Sequence, residues 1–306
     1  MKKNSIHIIP AAEIDSFKWN EKISNEKNGL IYSTTTYLNT ITDNWCGLVV
    51  NDYEVIVAVP FRKKGFIQYS YTPNFIQQLG LIGTYNKAIA NDIITTIKKK
   101  FRYGSLQFNF LNTPSIFLDT YNEKINFTLS LNRPYEEIVK RFRKDLKLNL
   151  EKCKSQLLDY IKTTDCNTAI ELYQAQYGHK LNNVSNNDYH KLTLFCSKNI
   201  KNKEECFTRT IINEEHEILA VALIFKDEKR LYNIANTVTP KGRALFANHL
   251  LLSNIIAEFS EQDLLFDFEG SVIPGIKEFY SGFGPSEETY ATYHYNNLPF
   301  PLSIFS

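Results

Sequence analysis

Residues 49–60, Val49-Val50-Asn51-Asp52-Tyr53-Glu54-Val55-Ile56-Val57-Ala58-Val59-Pro60, return later in the chain as residues 211–222, Ile211-Ile212-Asn213-Glu214-Glu215-His216-Glu217-Ile218-Leu219-Ala220-Val221-Ala222. Asn51 aligns with Asn213, Ile56 with Ile218, Ala58 with Ala220 and Val59 with Val221. Working outward, Tyr69 falls near Tyr232, the helical run at Asn91-Asp92-Ile93-Ile94 near Asn254-Ile255-Ile256, and Phe108-Asn109-Phe110 near Phe266-Asp267-Phe268. The offset stays at roughly 160 residues, which is too long for a solenoid unit and suits a duplicated domain. The sequence therefore predicts two domains, 1–130 and 131–306. No Gly/Ser-rich linker separates them.

Composition bounds the rest. A formal net charge of +2 demands neither nucleic acid nor an anionic membrane, so DNA is not an expected partner. No apolar run approaches the roughly 20 residues needed to span a bilayer, and the basic start lacks the apolar stretch of a secretion signal. Five cysteines, Cys46, Cys153, Cys166, Cys196 and Cys206, contain no Cys-x-x-Cys pair. They read as reduced thiols of a cytoplasmic protein, with neither a disulfide frame nor a zinc site. The six histidines show no metal-ligand spacing either, so no metal is expected.

In the first half, 9–44 reads as interrupted helix. Strands follow at 45–50, 54–61, 65–71 and 105–110, with a helix at 87–101. In the second half a long basic helix is predicted from Tyr135 to about Lys154, then helices at 168–177 and 188–197. Strands follow at 206–213, 218–226 and 230–238, then a mostly apolar helix at 243–259, a strand at 264–269, a short helix after Pro274 and a last strand at 288–295. This predicts an α+β or α/β fold in which each half is a mixed, mostly antiparallel, twisted sheet flanked by helices.

Three stretches of the second half carry chemistry. Val238-Thr239-Pro240-Lys241-Gly242-Arg243-Ala244 leads from a strand into a helix, where unpaired N–H groups and the positive dipole end suit phosphate; the same residues also suit a plain turn. In Phe266-Asp267-Phe268-Glu269-Gly270-Ser271, strand alternation puts Asp267 and Glu269 on one face. Two such carboxylates either pair with a cation or work on a substrate amine, with Glu269 as general base and Asp267 in support. The first half has Asn109 and Leu111 at the matching places. Finally, Lys277-Glu278-Phe279-Tyr280-Ser281-Gly282-Phe283-Gly284 is either an aromatic helix end packed on the core or a site carrying Tyr280.

The order strand, strand, strand, helix, strand, helix, strand resembles the GNAT superfamily of N-acyltransferases. With the duplication and the segment from Asp267 to Gly284, the chain resembles the tandem-GNAT, Fem-like acyltransferases. The resemblance implies a sheet that splays open at its fourth strand, an acyl-CoA pyrophosphate held at Val238, Thr239, Lys241, Gly242, Arg243 and Ala244, and Tyr280 protonating the departing CoA thiolate. Thr239 stands where the superfamily has Gln or Arg. The resemblance implies an enzyme that moves an acyl group, acetyl included, from acyl-CoA to a small-molecule or peptide amine, with backbone N–H groups near Val238 polarising the carbonyl.

The alternative donor is aminoacyl-tRNA, approached through Arg141, Arg143, Lys144 and Lys147; the lack of a long coiled-coil insertion argues mildly against it. A third reading is a non-catalytic binding protein on the same scaffold. In the first half Tyr69, Tyr71, Gln77 and Gln78 replace the phosphate loop and suit a substrate wall, with Tyr232 and Asn236 as further substrate contacts from the second half. That first copy either shapes the acceptor site or only completes the fold.

Overall fold

The computed structural model of the chain describes residues 4–180, 183–199, 205–270 and 274–300. They form two compact units, one of residues 4–124 and 289–300 and one of the described residues within 125–288. In the first unit lie β1 (Ile6–Pro10), α1 (Ser16–Asn25), α2 (Thr35–Ile41), β2 (Trp45–Val50), β3 (Val55–Lys64), β4 (Ile67–Ser70), β5 (Leu81–Gly83), α3 (Lys87–Lys100) and β6 (Tyr103–Gln107). The chain then runs through β7 (Asn122–Ser130), α4 (Tyr135–Lys140), α5 (Lys144–Lys154), β8 (Leu158–Thr163), α6 (Cys166–Tyr177), α7 (Asn186–Asn199), β9 (Cys206–Asn213), β10 (Ile218–Lys226) and β11 (Arg230–Val238). It ends with α8 (Pro240–Ala244), α9 (Ala247–Glu258), β12 (Leu265–Asp267), α10 (Pro274–Ser281) and β13 (Ser286–Asn296).

The duplication is visible in the pairing. In the first unit β1, β2, β3 and β4 pair antiparallel in sequence and β4 pairs β6 parallel. In the second, β8, β9, β10 and β11 pair antiparallel and β11 pairs β12 parallel. The closing strands are exchanged. The strand that follows β6 in sequence, β7, pairs β12, whereas β13 at the chain end pairs β6. A simple tandem reading put the divide near 130 and gave everything after it to the second half. Packing divides the chain at 124 and returns 289–300 to the first unit.

The strands β9, β10 and β11 were readable to the residue as short, largely buried runs bounded by turns. The long basic helix is instead two helices, α4 and α5, parted where Phe142 turns inward to meet Phe283 with ring centroids 5.2 Å apart. There the Arg143 N–H leaves the helical ladder and donates to the Gly282 carbonyl. The helix read at 243–259 also breaks, at Phe246, whose φ of 55° lies in the left-handed region. The core of the second unit lies between α4, α5, α9 and α10 and the sheet face bearing Ala220, Ala222 and Ile224.

Candidate active site

The site begins where two neighbouring strands part. β11 and β12 run parallel only from Arg230↔Leu265 to Tyr232↔Asp267. Beyond Asp267 the chain leaves the sheet, and the Phe268 N–H donates to the Phe127 carbonyl. Residues 233–238 therefore keep their β10 ladder but have no β12 partner, the splay that the resemblance implied.

A β-bulge re-aims the side chains at this point. Ile224 pairs with Asn233 and Leu223 with Ala235, so Ile234 is the extra residue. The bulge shifts the alternation by one and puts Asn233, which pairs Ile224, on the same face as Asn236, which pairs Ala222. Asn233 Oδ1 and Asn236 Nδ2 are buried without a hydrogen-bond partner among the described residues. Native interiors rarely leave such atoms orphaned, because each costs about 1–3 kcal/mol. The two lie on one strand face, where a polar ligand could complete the bonding.

Tyr280, on α10, comes to the same face. It is buried, and its hydroxyl accepts from Asn233 Nδ2 at 3.4 Å. Its ring lies 5.0 Å from Phe268 and its helix end is held by Phe283. Burial pushes the phenol well above its ordinary value, and repulsion from Tyr173, Tyr177 and Glu269 adds to this. That repulsion puts Glu269 within electrostatic reach of Tyr280.

Glu269 sits just after the strand and not on it, since β12 ends at Asp267 and Glu269 has a φ of 63°. The expectation that Asp267 and Glu269 share a strand face is therefore corrected. The turn is built by Asp267, whose Oδ1 accepts from the Glu269 N–H at 2.9 Å and from Asn126 Nδ2 at 2.9 Å. Asn109 does the same in the first unit, accepting from the Leu111 N–H at 3.1 Å. Asp267 Oδ2 meets Arg230 Nη1 at 2.8 Å, and both residues are buried. Arg230 also grips Glu288, at 2.8 and 2.9 Å. Asp267 is thus fully paired and orients the backbone of Glu269. Desolvation pushes the Glu269 carboxyl up to about 8, while part of the residue's surface stays accessible.

The loop from Val238 to Ala244 is bonded to itself. The Thr239 hydroxyl accepts from the Gly242 N–H at 3.0 Å, the Thr239 N–H donates to the Leu219 carbonyl, and the Arg243 N–H donates to the Thr239 carbonyl. Gly242 is needed for packing, because a Cβ there would stand 2.1 Å from the Leu219 carbonyl oxygen. Lys241 pairs with Glu217 and Glu215. Arg243 and Ala244 are exposed, and Val238 is held in the ladder opposite Ala220. These contacts leave a poor fit for a pyrophosphate.

The substrate contacts sort differently from expectation. Tyr232 is fully buried on the opposite face from Asn236, a consequence of the bulge, and its hydroxyl donates to Asp227 at 2.6 Å. Gln78 is also fully buried; its Oε1 accepts from the Phe110 N–H at 2.9 Å and its Nε2 donates to Gln77, itself buried. Tyr232, Gln77 and Gln78 therefore brace the fold. Tyr69 and Tyr71 do line a cavity of about 510 Å3 in the first unit, with Tyr103, His294 and Tyr295. Sequence reasoning passed over Asn233; an Asn in an apolar strand was its only signal. Of the motif after Glu269, Ser271 lies outside the described residues.

The absence of a metal site was inferred from spacing alone. The fold brings Cys166, Cys196 and Cys206 together, with all three sulfurs within 4.8 Å of one another.

The fold is shared with FemX and two further solved structures, and its mixed sheet flanked by helices is the α+β architecture expected. FemX matches with a TM-score of 0.68 at 10% identity, covering 95% of this chain and 97% of that one. A conserved protein of unknown function from Bacteroides thetaiotaomicron VPI-5482 matches with a TM-score of 0.62 at 11% identity over 94% and 99% of the two chains. L-PGS from Bacillus licheniformis matches with a TM-score of 0.56 at 12% identity over 95% of each. No protein-family model and no curated protein matches the sequence. No helix among the described residues is long and apolar enough to cross a membrane.

Proposed function

We propose that the unit of residues 125–288 is an acyltransferase that moves an acyl group from an activated carrier to an amine. The observation that carries this reading is the grouping of Glu269, Tyr280 and the orphaned Asn233 and Asn236 atoms where β11 leaves β12. The acceptor nitrogen attacks the acyl carbonyl, and the carbonyl oxygen takes up charge beside Asn236 Nδ2 and the bulge backbone. Glu269 takes the proton from the nitrogen. A carboxylate raised to about 8 suits that task near neutrality. The tetrahedral centre then collapses, breaks the bond to the carrier and leaves the amide.

The loop favours an ester carrier, an aminoacyl-tRNA, over the acyl-CoA implied by the motif. The N–H of Gly242 is already capped, and Lys241 is already paired. The raised Tyr280 phenol also points this way, since a phenol well above 10 is a weak acid toward a thiolate near 8.5 but a suitable donor to an alkoxide. Exposed Lys140, Arg141, Lys144, Lys152 and Lys154 on and beside α4 and α5 offer a basic surface to a polyanion. Specificity for an amine, small molecule or peptide, is left to the acceptor wall. Thermal melting separates the carriers. Stabilisation by non-hydrolysable aminoacyl-tRNA, weakening steeply with salt, supports the ester reading. Stabilisation by acetyl-CoA or longer acyl-CoA alone would replace it with the thioester reading, and no shift with either would remove the transferase.

A further inference from the structure

Cys166 opens α6, Cys196 lies near the end of α7 and Cys206 opens β9, so three separate elements deliver one thiol each to the same point. All three side chains are at most 2% exposed. The Cys166 and Cys206 sulfurs are 3.3 Å apart, and all three lie within 4.8 Å of one another. Tetrahedral ligation at a Zn–S distance of about 2.3 Å needs sulfurs ~3.8 Å apart, which falls inside this range. Core packing alone gives no reason for three thiols to face one another, since each is a weak donor and acceptor.

We propose that Cys166, Cys196 and Cys206 bind one soft, thiophilic cation, zinc(II) or copper(I), as a structural clasp on the unit of residues 125–288. Each thiol gives its proton to solvent as its sulfur ligates. Three thiolates and zinc(II) leave a net charge of −1. No fourth His, Cys, Asp or Glu among the described residues joins the group, so the cation is three-coordinate or takes a non-protein fourth ligand. Soft thiolate ligands select these cations over magnesium or calcium.

The clasp has a consequence at the candidate site. α6 starts at Cys166, packs on β11 and carries Tyr173 and Tyr177, the phenols that raise Tyr280. Tying the start of α6 to α7 and β9 fixes the helix that presents them.

Elemental analysis of untagged protein purified under reducing conditions is expected to find zinc or copper at about one ion per chain. Which metal is found distinguishes the two cations. The stripped protein should take up cadmium(II) with a sulfur-to-metal charge-transfer band, absent in Cys206→Ser and kept in Cys46→Ser and Cys153→Ser, whose thiols lie outside the cluster. Cadmium should also raise the melting temperature of the stripped wild type. If Cys206→Ser does not fold, the wild-type band and melting shift still decide. Metal-free protein whose reduced thiols give no cadmium band would overturn the proposal, and so would a disulfide between two of the three in the protein as isolated.

Discussion

Glu269 and Asp267 are two residues apart and live in opposite electrostatic conditions. Asp267 is buried against a guanidinium, whereas the Glu269 carboxyl is desolvated up to about 8. As a base, Glu269 works only when ionised, so transfer should rise with pH through about 8 and level off above it. Glu269→Gln should lower transfer by about 10²–10⁴-fold and abolish that rise. Stability runs the other way. The raised carboxyl binds its proton more tightly folded than unfolded, so Glu269 withdraws stability as pH climbs from about 4.3 towards 8. Thermal scans should show Glu269→Gln matching the wild type near pH 4 and melting above it at pH 9. Asp267→Asn keeps the oxygen that bonds the Glu269 N–H, as Asn109 does in the first unit, but leaves Arg230 short of charge. It should cost about 3–5 kcal/mol in denaturant unfolding. The sequence offered Asp267 both an ion pair and a supporting role. The ion pair is present, which alternation could not show because the pairing Arg230 is 37 residues away.

At the scale of elements, α9 is fastened to β8 and β9 by Glu258, which takes Arg209 at 2.6 and 2.8 Å, Tyr160 at 2.6 Å and Lys162 at 3.1 Å. Burial alone would raise this carboxyl, but Arg209 and Tyr160 overcome it and hold it near 2. A depressed carboxyl contributes stability above its unfolded value near 4.3 and loses it as pH falls towards 2. Glu258→Gln should therefore destabilise by about 3 kcal/mol at pH 7 and by little at pH 2, as read from urea unfolding. In α8, Thr239→Ala should cost about 1 kcal/mol of melting stability as the cap on Gly242 is lost. β9, β10 and β11 were legible as short, largely buried runs bounded by turns. β7 and β8 were not, since strands read mainly through their partners, and the β12 that pairs β7 lies more than 130 residues on. The β11 bulge was equally silent, and it decides that Asn236 reaches the site while Tyr232 does not.

At the scale of the molecule, duplication was readable from residues 49–60 and 211–222, but the exchange of β7 and β13 was not. Nothing in either strand names its partner, so a simple tandem cut is the natural reading of one sequence. Within each unit the exchanged strand is one of six on the main path. The three-thiol cluster was invisible for the same reason, with ligands 30 and 10 residues apart and no short motif between them. In the proposed reaction Glu269 removes the acceptor's proton at the parting of β11 and β12. The most direct measurement is the pH dependence of single-turnover acyl transfer, followed by mass of the amide product, for wild type and Glu269→Gln. A wild-type rate that rises to a plateau above about 8, with a slow and pH-flat variant, is the predicted result. Equal rates for the two proteins across that range would contradict it.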